Sequence, residues 1–184
     1  MMSNQFGKRH VFMVLSILIL VTTPLFVLLL PNWNANNVYH TPSNWYVFVK
    51  GSTYGMYGVG FLLLVIGSAI LAMLDCSRKA IYIAILCVVL AGSSFYVAGR
   101  QYIALADDSI KYRDMFSKGH SYQWSDVESV QYNKYPPENE FPSYVFHFTD
   151  GHSLNLVENR QLPAMRESVK HRLKMEGIAI DVKY

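Results

Sequence analysis

The chain has 184 residues, 52% of them hydrophobic and only 16% charged, with a formal net charge of +3. Residues 1–100 carry six basic groups against a single acid, Asp75, whereas residues 101–184 carry ten basic groups against twelve acids. Soluble domains are about one quarter charged, so this split excludes an ordinary soluble globular protein and argues against nucleic acid as a partner.

The first predicted element covers residues 11–30, VFMVLSILILVTTPLFVLLL, a run of 20 residues without a charge. It is long enough to cross a hydrocarbon core of about 30 Å. It exceeds the roughly 7–15 apolar residues of a signal-peptide core, and no small-residue cleavage pattern follows. An uncleaved transmembrane helix is therefore expected, mildly kinked at Pro24, which neighbouring helices can tolerate. Two more apolar runs cover residues 52–74, with Trp45 as the earliest start, and residues 80–99. Only DCSRK separates them, which predicts a tight helical hairpin. Cys76 and Cys87 sit here and form no recognisable disulfide framework.

Orientation follows the distribution of Lys and Arg. Lys8 and Arg9 precede the first run, and Arg78 and Lys79 occupy the short connection. Residues 31–51 are expected as a loop with Lys50 as its one cation. Trp33, Tyr39, Trp45, Tyr46 and Phe48 in that loop suit an interfacial aromatic belt. The consistent solution places the N-terminus and the 75–79 turn in the cytoplasm and, after three crossings, residues 101–184 outside; Arg100, Lys111 and Arg113 count against it, but long domains translocate largely regardless of charge. The three runs contain no Asp, Glu, Lys, Arg or His. Ion and proton paths use such groups, so an anchor or packing surface is expected. His10 and His40 fall outside the runs, which leaves no haem-ligand pair within them. The second run carries Gly51, Gly55 and Gly58, with Gly51 and Gly55 in G-x-x-x-G spacing, a helix-packing signal. These small residues either meet the chain's own helices or meet a partner's helix.

From Gln101 the pattern changes to short strands. YIALADDSIKYR predicts two strands about an Asp107–Asp108 turn, and Lys118–Gly119 marks a second turn. Tyr122 and Trp124 follow at period two. Val127 and Val130 stand three apart, which predicts a bend before alternation resumes. The proline-rich stretch NKYPPENEFPS is a loop, since prolines do not serve central ladder positions. Its Tyr135, Pro136, Pro137 and Phe141 form a candidate partner contact, because rigid aromatics on loops bind at low entropic cost. Asp150–Gly151 between two alternating runs predicts a hairpin. A two-residue turn would pair Thr149 with His152, His147 with Leu154 and Val145 with Leu156, and would place His147 and His152 on one face. Residues 161–176 predict an amphipathic helix through Leu162, Met165, Val169 and Leu173, with Asn159 as N-cap and Gly177 as stop. Ile178, Ile180 and Val182 suggest a last edge strand.

No phosphate-binding Gly-rich loop, G-x-S-x-G or H-E-x-x-H is present. His120, His147 and His152 could converge as a metal site, but the hairpin pairing places only His147 and His152 on one face, and two His without a third ligand at a defined spacing do not define one. Asp107, Asp108 and Asp114 could mimic a paired-carboxylate site, but a turn accounts for the first two more simply. No catalytic residue, cofactor or metal is expected. The basic groups of the 161–176 segment, Arg166, Lys170, Arg172 and Lys174, favour a helix C-terminus and suit a solvated face.

The order of IALADDSIKYR, SYQWSDVESV, YVFHFTDGHSLNL and a terminal amphipathic helix resembles the bacterial pleckstrin-homology-like domain proteins. The W-S-D-V-x-x-V piece, Trp124 to Val130, is similar to a strand-to-bend element of that family. The resemblance covers about 80 residues and rests on structural motifs. It implies a β-meander or partly open barrel closed by a C-terminal helix, used for protein or membrane contacts. Family members commonly have a two-helix hairpin and a cytoplasmic domain, whereas this chain has three predicted spans. The expected architecture is a three-helix transmembrane domain over residues 1–100 followed by a small α+β pleckstrin-homology-like domain over residues 101–184. The expected function is non-enzymatic: a multi-pass protein of the bacterial cytoplasmic membrane that serves as an accessory or scaffold subunit. Its partners would be the lipid bilayer and a membrane protein or a second copy. The alternative is a tethered module that binds lipid or an envelope polymer.

Overall fold

The computed structural model describes residues 7–134, 141–157 and 162–183. Three helices, α1 (Lys8–Tyr39), α2 (Gly51–Met73) and α3 (Arg78–Gly99), are long and apolar enough to cross a membrane. A short strand β1 (Asn44–Phe48) lies between α1 and α2. After α3 come β2 (Tyr102–Ala106), β3 (Ser109–Arg113), β4 (His120–Gln123), a 3-10 turn (Trp124–Asp126), β5 (Val127–Asn133), β6 (Ser143–Phe148), β7 (Ser153–Val157), α4 (Leu162–Met175) and β8 (Ile180–Lys183). The protein is thus a set of three apolar helices followed by a small α+β region.

The chain forms two compact units. The helical unit holds the residues up to His40, Val47–Ile103 and Arg113–Lys118; the β unit holds Thr41–Tyr46, Ala104–Tyr112 and the residues from Gly119 onward.

In the helical unit α2 is central and packs along both α1 and α3, which barely touch each other. Ser16 of α1 donates to the Val65 carbonyl of α2 at 3.3 Å, and Tyr54 of α2 donates to Asn32 of α1 at 3.2 Å. The two helices therefore run in opposite directions, and the start of α1 shares an end with the α2–α3 turn. The seam of α3 is Ala80, Ala84, Cys87, Ala91 and Ala98, all buried, at spacings of three, four or seven residues. Facing it on α2 are Gly60, Gly67, Ser68 and Ala72, also buried. Small residues let helix backbones approach closely, which is how helices associate where the hydrophobic effect gives no driving force between them. At Gly60 an added Cβ would lie 2.4 Å from the Phe95 ring, and at Gly67 it would lie 3.1 Å from Cys87 Cβ. The Phe95 ring fills the notch at Gly60 and packs edge-on to Phe61 at 5.1 Å. The outer faces of α1 and α3 expose Val, Leu and Ile almost continuously, as lipid contact requires.

The α2–α3 turn closes with Asp75 and Cys76 in the left-handed region, at φ 47° and 54°. The Cys76 N–H reaches back to the Leu71 carbonyl at 3.0 Å, and Ser77 caps α3 by accepting from the Ala80 N–H at 3.3 Å. An Asp tolerates the left-handed conformation that glycine usually supplies at a helix end.

The first helix extends beyond the apolar run. Residues 31–51 are not a loop: α1 continues to Tyr39, with Pro24 and Pro31 inside it, and β1 follows. Side-chain bonding explains the extension. Asn34 and Tyr39 both donate to the Gly99 carbonyl at the end of α3, at 3.1 and 3.2 Å. The Tyr39 ring stacks on Tyr102 at 3.9 Å. These tertiary bonds outweigh the weak helix propensity of the Asn-rich segment.

The β unit contains two four-stranded sheets, in the orders β1-β2-β3-β4 and β7-β6-β5-β8. Strand β8 pairs parallel to β5, with Val130 opposite Ile180, and forms the sheet edge. The core is Leu105, Ile110, Trp124, Val130, Phe146, Phe148, Leu154 and Leu173. Trp124 is 1% exposed and donates from Nε1 to the Ala106 carbonyl at 2.9 Å. A register shift in β5 between Val127 and Ser129 supplies the expected bend. Gly177, at φ +72°, ends α4, with Gly177 N–H to the Lys174 carbonyl at 3.2 Å and Ile178 N–H to the Leu173 carbonyl at 2.9 Å. That pair of bonds is a Schellman cap. The expected N-cap Asn159 lies outside the described residues.

The hairpin register differs from the expected one. His147 pairs with Ser153, Phe146 with Leu154 and Val145 with Asn155. The turn has three residues, not two. Gly151, at φ +83°, donates to the Phe148 carbonyl at 2.9 Å, and the Phe148 N–H bonds the His152 carbonyl at 2.9 Å. This is a type I turn followed by a left-handed glycine. A one-residue slip exchanges the faces, so His147 and His152 lie on opposite sides of the ladder.

Candidate interaction surfaces

The two groups of residues singled out from the sequence lie in different environments. Gly51 and Gly55 are exposed and Gly58 is half-buried, and a Cβ added at any of the three would meet nothing within 4 Å among the described residues. Close helix contact inside the chain uses Gly60 and Gly67 instead. Of the loop residues, Phe141 is described and 58% exposed; Tyr135, Pro136 and Pro137 lie outside the described residues.

The aromatic belt is redistributed. Phe48 is 3% exposed, and Trp45 stacks on Trp124 at 5.6 Å while donating to Asp107 at 2.5 Å. Both therefore serve the protein interior or its rim rather than an interface with lipid headgroups. The exposed aromatics of the helical unit at the C-terminal ends of α1 and α3 are Trp33 and Tyr96, and Phe116 is exposed on the segment Arg113–Lys118. That segment is tied down by an ion pair of Asp114 with Lys50, the residue preceding α2. Lys50 is the one cation of residues 31–51, and its charge is matched by this carboxylate.

In the β unit a cluster forms that the sequence did not disclose. The Tyr122 hydroxyl donates to Asp150 Oδ2 at 2.6 Å and lies 3.3 Å from His120 Nδ1. Asp150 also accepts from the His152 backbone N–H at 3.0 Å, and His152 Nδ1 lies 3.0 Å from Asp150 Oδ2. The His120 and His152 rings are 4.7 Å apart, and Tyr122 stacks on Phe148 at 3.9 Å. The Tyr122 hydroxyl bond, with the His152 bonds, holds the Asp150 carboxyl below its ordinary value. Burial, then the bond to Asp150, raises the Tyr122 phenol well above its ordinary value. The signal for this cluster lies in strand pairing: Tyr112 sits opposite His120 in the β3–β4 ladder, and Asp150 lies at the tip of a different hairpin. Chain order alone does not bring those elements together.

His147 is on the opposite face, so the three histidines do not converge. Among the described residues no group of three His, Cys, Asp or Glu side chains is placed to hold a metal ion. Next to the cluster's sheet lies a polar pocket of about 460 Å³, lined among others by Asp108, Lys111, Ser121, Gln123, Arg172 and Glu176. Arg172 pairs with Glu176 at 3.5 Å, and its buried Nε has no hydrogen-bond partner among the described residues. Mixed charges and hydroxyls of this kind can take a polar ligand. Compared with known proteins, the chain matches no family model and no curated sequence.

Proposed function

We propose that the protein is a non-enzymatic accessory or scaffold subunit of the bacterial cytoplasmic membrane that acts through protein–protein contacts, with its β unit serving as a pleckstrin-homology-like module. The observation that carries the reading is the open face of α2. Glycine inside a helix costs about 1 kcal/mol relative to alanine, and an added Cβ at Gly51, Gly55 or Gly58 would meet nothing within 4 Å among the described residues, so no close approach inside the described chain requires a glycine there. A partner helix, from another membrane protein or a second copy, would use that face for close packing. The two sheets, the bend after Trp124 and the docked α4 support the module reading. Lys8 and Arg9 share an end of the helical unit with Arg78 and Lys79, which supports a cytoplasmic N-terminus and an extracytoplasmic β unit.

Cross-linking in intact cells followed by purification in mild detergent tests this. The expected result is one membrane protein, or a second copy, recovered in fixed ratio with the chain and lost in Gly55→Leu. Recovery of the uncross-linked chain alone contradicts it. The polar pocket of the β unit favours a second reading, a tethered module that binds lipid or an envelope polymer. Salt-sensitive co-sedimentation of the full chain with cell-wall material, abolished by Arg172→Gln, would select that reading.

A further inference from the structure

A second feature of the helical unit points to a lipid rather than a protein. Because α1 and α3 barely touch, a groove of about 470 Å³ opens between the start of α1 and the first half of α3. Its walls are almost wholly apolar: Phe12 of α1, Leu71 of α2, and Ile81, Ile85 and Val88 of α3. Lys8 lines it at one end. That volume falls within the roughly 300–1,000 Å³ of small-molecule sites.

Two properties decide the occupant. The first is length. From Ile81 to Val89 the α3 wall rises about 12 Å at about 1.5 Å per residue, close to one leaflet of a core about 30 Å thick. A transmembrane partner helix would need a seam along the whole span. An acyl chain needs one leaflet. The second is charge. Lys8, Arg9, Arg78 and Lys79 flank the helices at this end, and Asp75 is the sole acid of residues 1–100. Basic pockets between transmembrane helices fit anionic headgroups. We propose that the groove binds one anionic phospholipid, with an acyl chain along Ile81, Ile85 and Val88 and its phosphate on the Lys8 ammonium. The inference rests on the helices spanning a membrane and is independent of what the β unit contacts.

The full chain, reconstituted in phosphatidylcholine bilayers with chain-spin-labelled phosphatidylglycerol or phosphatidylcholine, reports the motionally restricted lipid by electron paramagnetic resonance. Wild type is expected to restrict phosphatidylglycerol about fivefold over phosphatidylcholine, the factor that one basic group near an anionic surface supplies. Lys8→Gln is expected to bring the two lipids level. Val88→Trp fills the groove from a position that is 57% exposed, and is expected to remove the preference while leaving all four cations in place. Val14→Trp, 63% exposed and outside the groove lining, serves as the control and is expected to keep it. Equal restriction of both lipids by wild type overturns the proposal. So does a preference that survives Val88→Trp, because surface charge alone would then account for it. If Val88→Trp loses helicity, Lys8→Gln decides: a preference retained there overturns the site.

Discussion

At the residue scale, Tyr122 and Asp150 give the β unit a pH dependence whose sign can be worked out. Asp150 has a lowered folded value, so the unfolded chain binds the proton more readily. Its share of stability is present above the ordinary carboxyl value of 3.8 and is lost as the pH falls through the lowered folded value. Tyr122 has a raised folded value, so its share is present below 10.0 and is lost as the pH climbs beyond that point. Tyr122→Phe is therefore expected to flatten the stability profile at both extremes, read by urea unfolding followed through tryptophan fluorescence. An unchanged acid limb would contradict the Tyr122–Asp150 bond. Trp124 lies in the core of the β unit. Trp124→Ala removes a wholly buried ring and is expected to cost about 3–5 kcal/mol, seen as a lower urea midpoint for the β unit. Trp124 was legible in the sequence as part of the strand-to-bend piece. The Tyr122 cluster was not, because His120 and Tyr122 come from β4 and Asp150 and His152 from the β6–β7 turn, whose proximity no local pattern specifies.

At the scale of elements, glycines on one helix do different work. Gly60→Leu places atoms where Phe95 already sits, 2.4 Å from the Cβ position, and is expected to lower the thermal midpoint of the full chain in detergent by several degrees. Gly55→Leu meets open space and is expected to leave that midpoint unchanged or slightly higher, since leucine is the better helix former. Equal losses from both would contradict the packing described for α2 and α3. The G-x-x-x-G spacing was visible in the sequence, but which glycines face the chain's own helices depends on the rotation of α2, and periodicity leaves that open. The same limit explains the other differences. Apolar runs identified the three helices, because lipid-length hydrophobic segments have few alternatives. The continuation of α1 to Tyr39 depends on Asn34 and Tyr39 reaching the Gly99 carbonyl, a contact between the ends of different helices. The Asp150–Gly151 signal located a hairpin correctly yet left its loop length open by one residue, which was enough to move His147 to the other face.

At the scale of the whole molecule, the net charge of +3 averages two unlike parts. Four of the six basic groups of residues 1–100, Lys8, Arg9, Arg78 and Lys79, gather at one end of the helical unit, where α1 begins and α2 turns into α3, while Lys50 and Arg100 stand at the other. Lys50, at the other end, is matched by Asp114. This sharpens the charge asymmetry between the two ends, and with it the expected orientation. In the proposed arrangement the chain crosses the membrane three times with its N-terminus in the cytoplasm. Compartment-sensitive reporters fused after Lys79 and after the C-terminus test it most directly. A cytoplasmic signal from the first and an extracytoplasmic signal from the second are expected; a cytoplasmic signal from both would contradict the proposed arrangement.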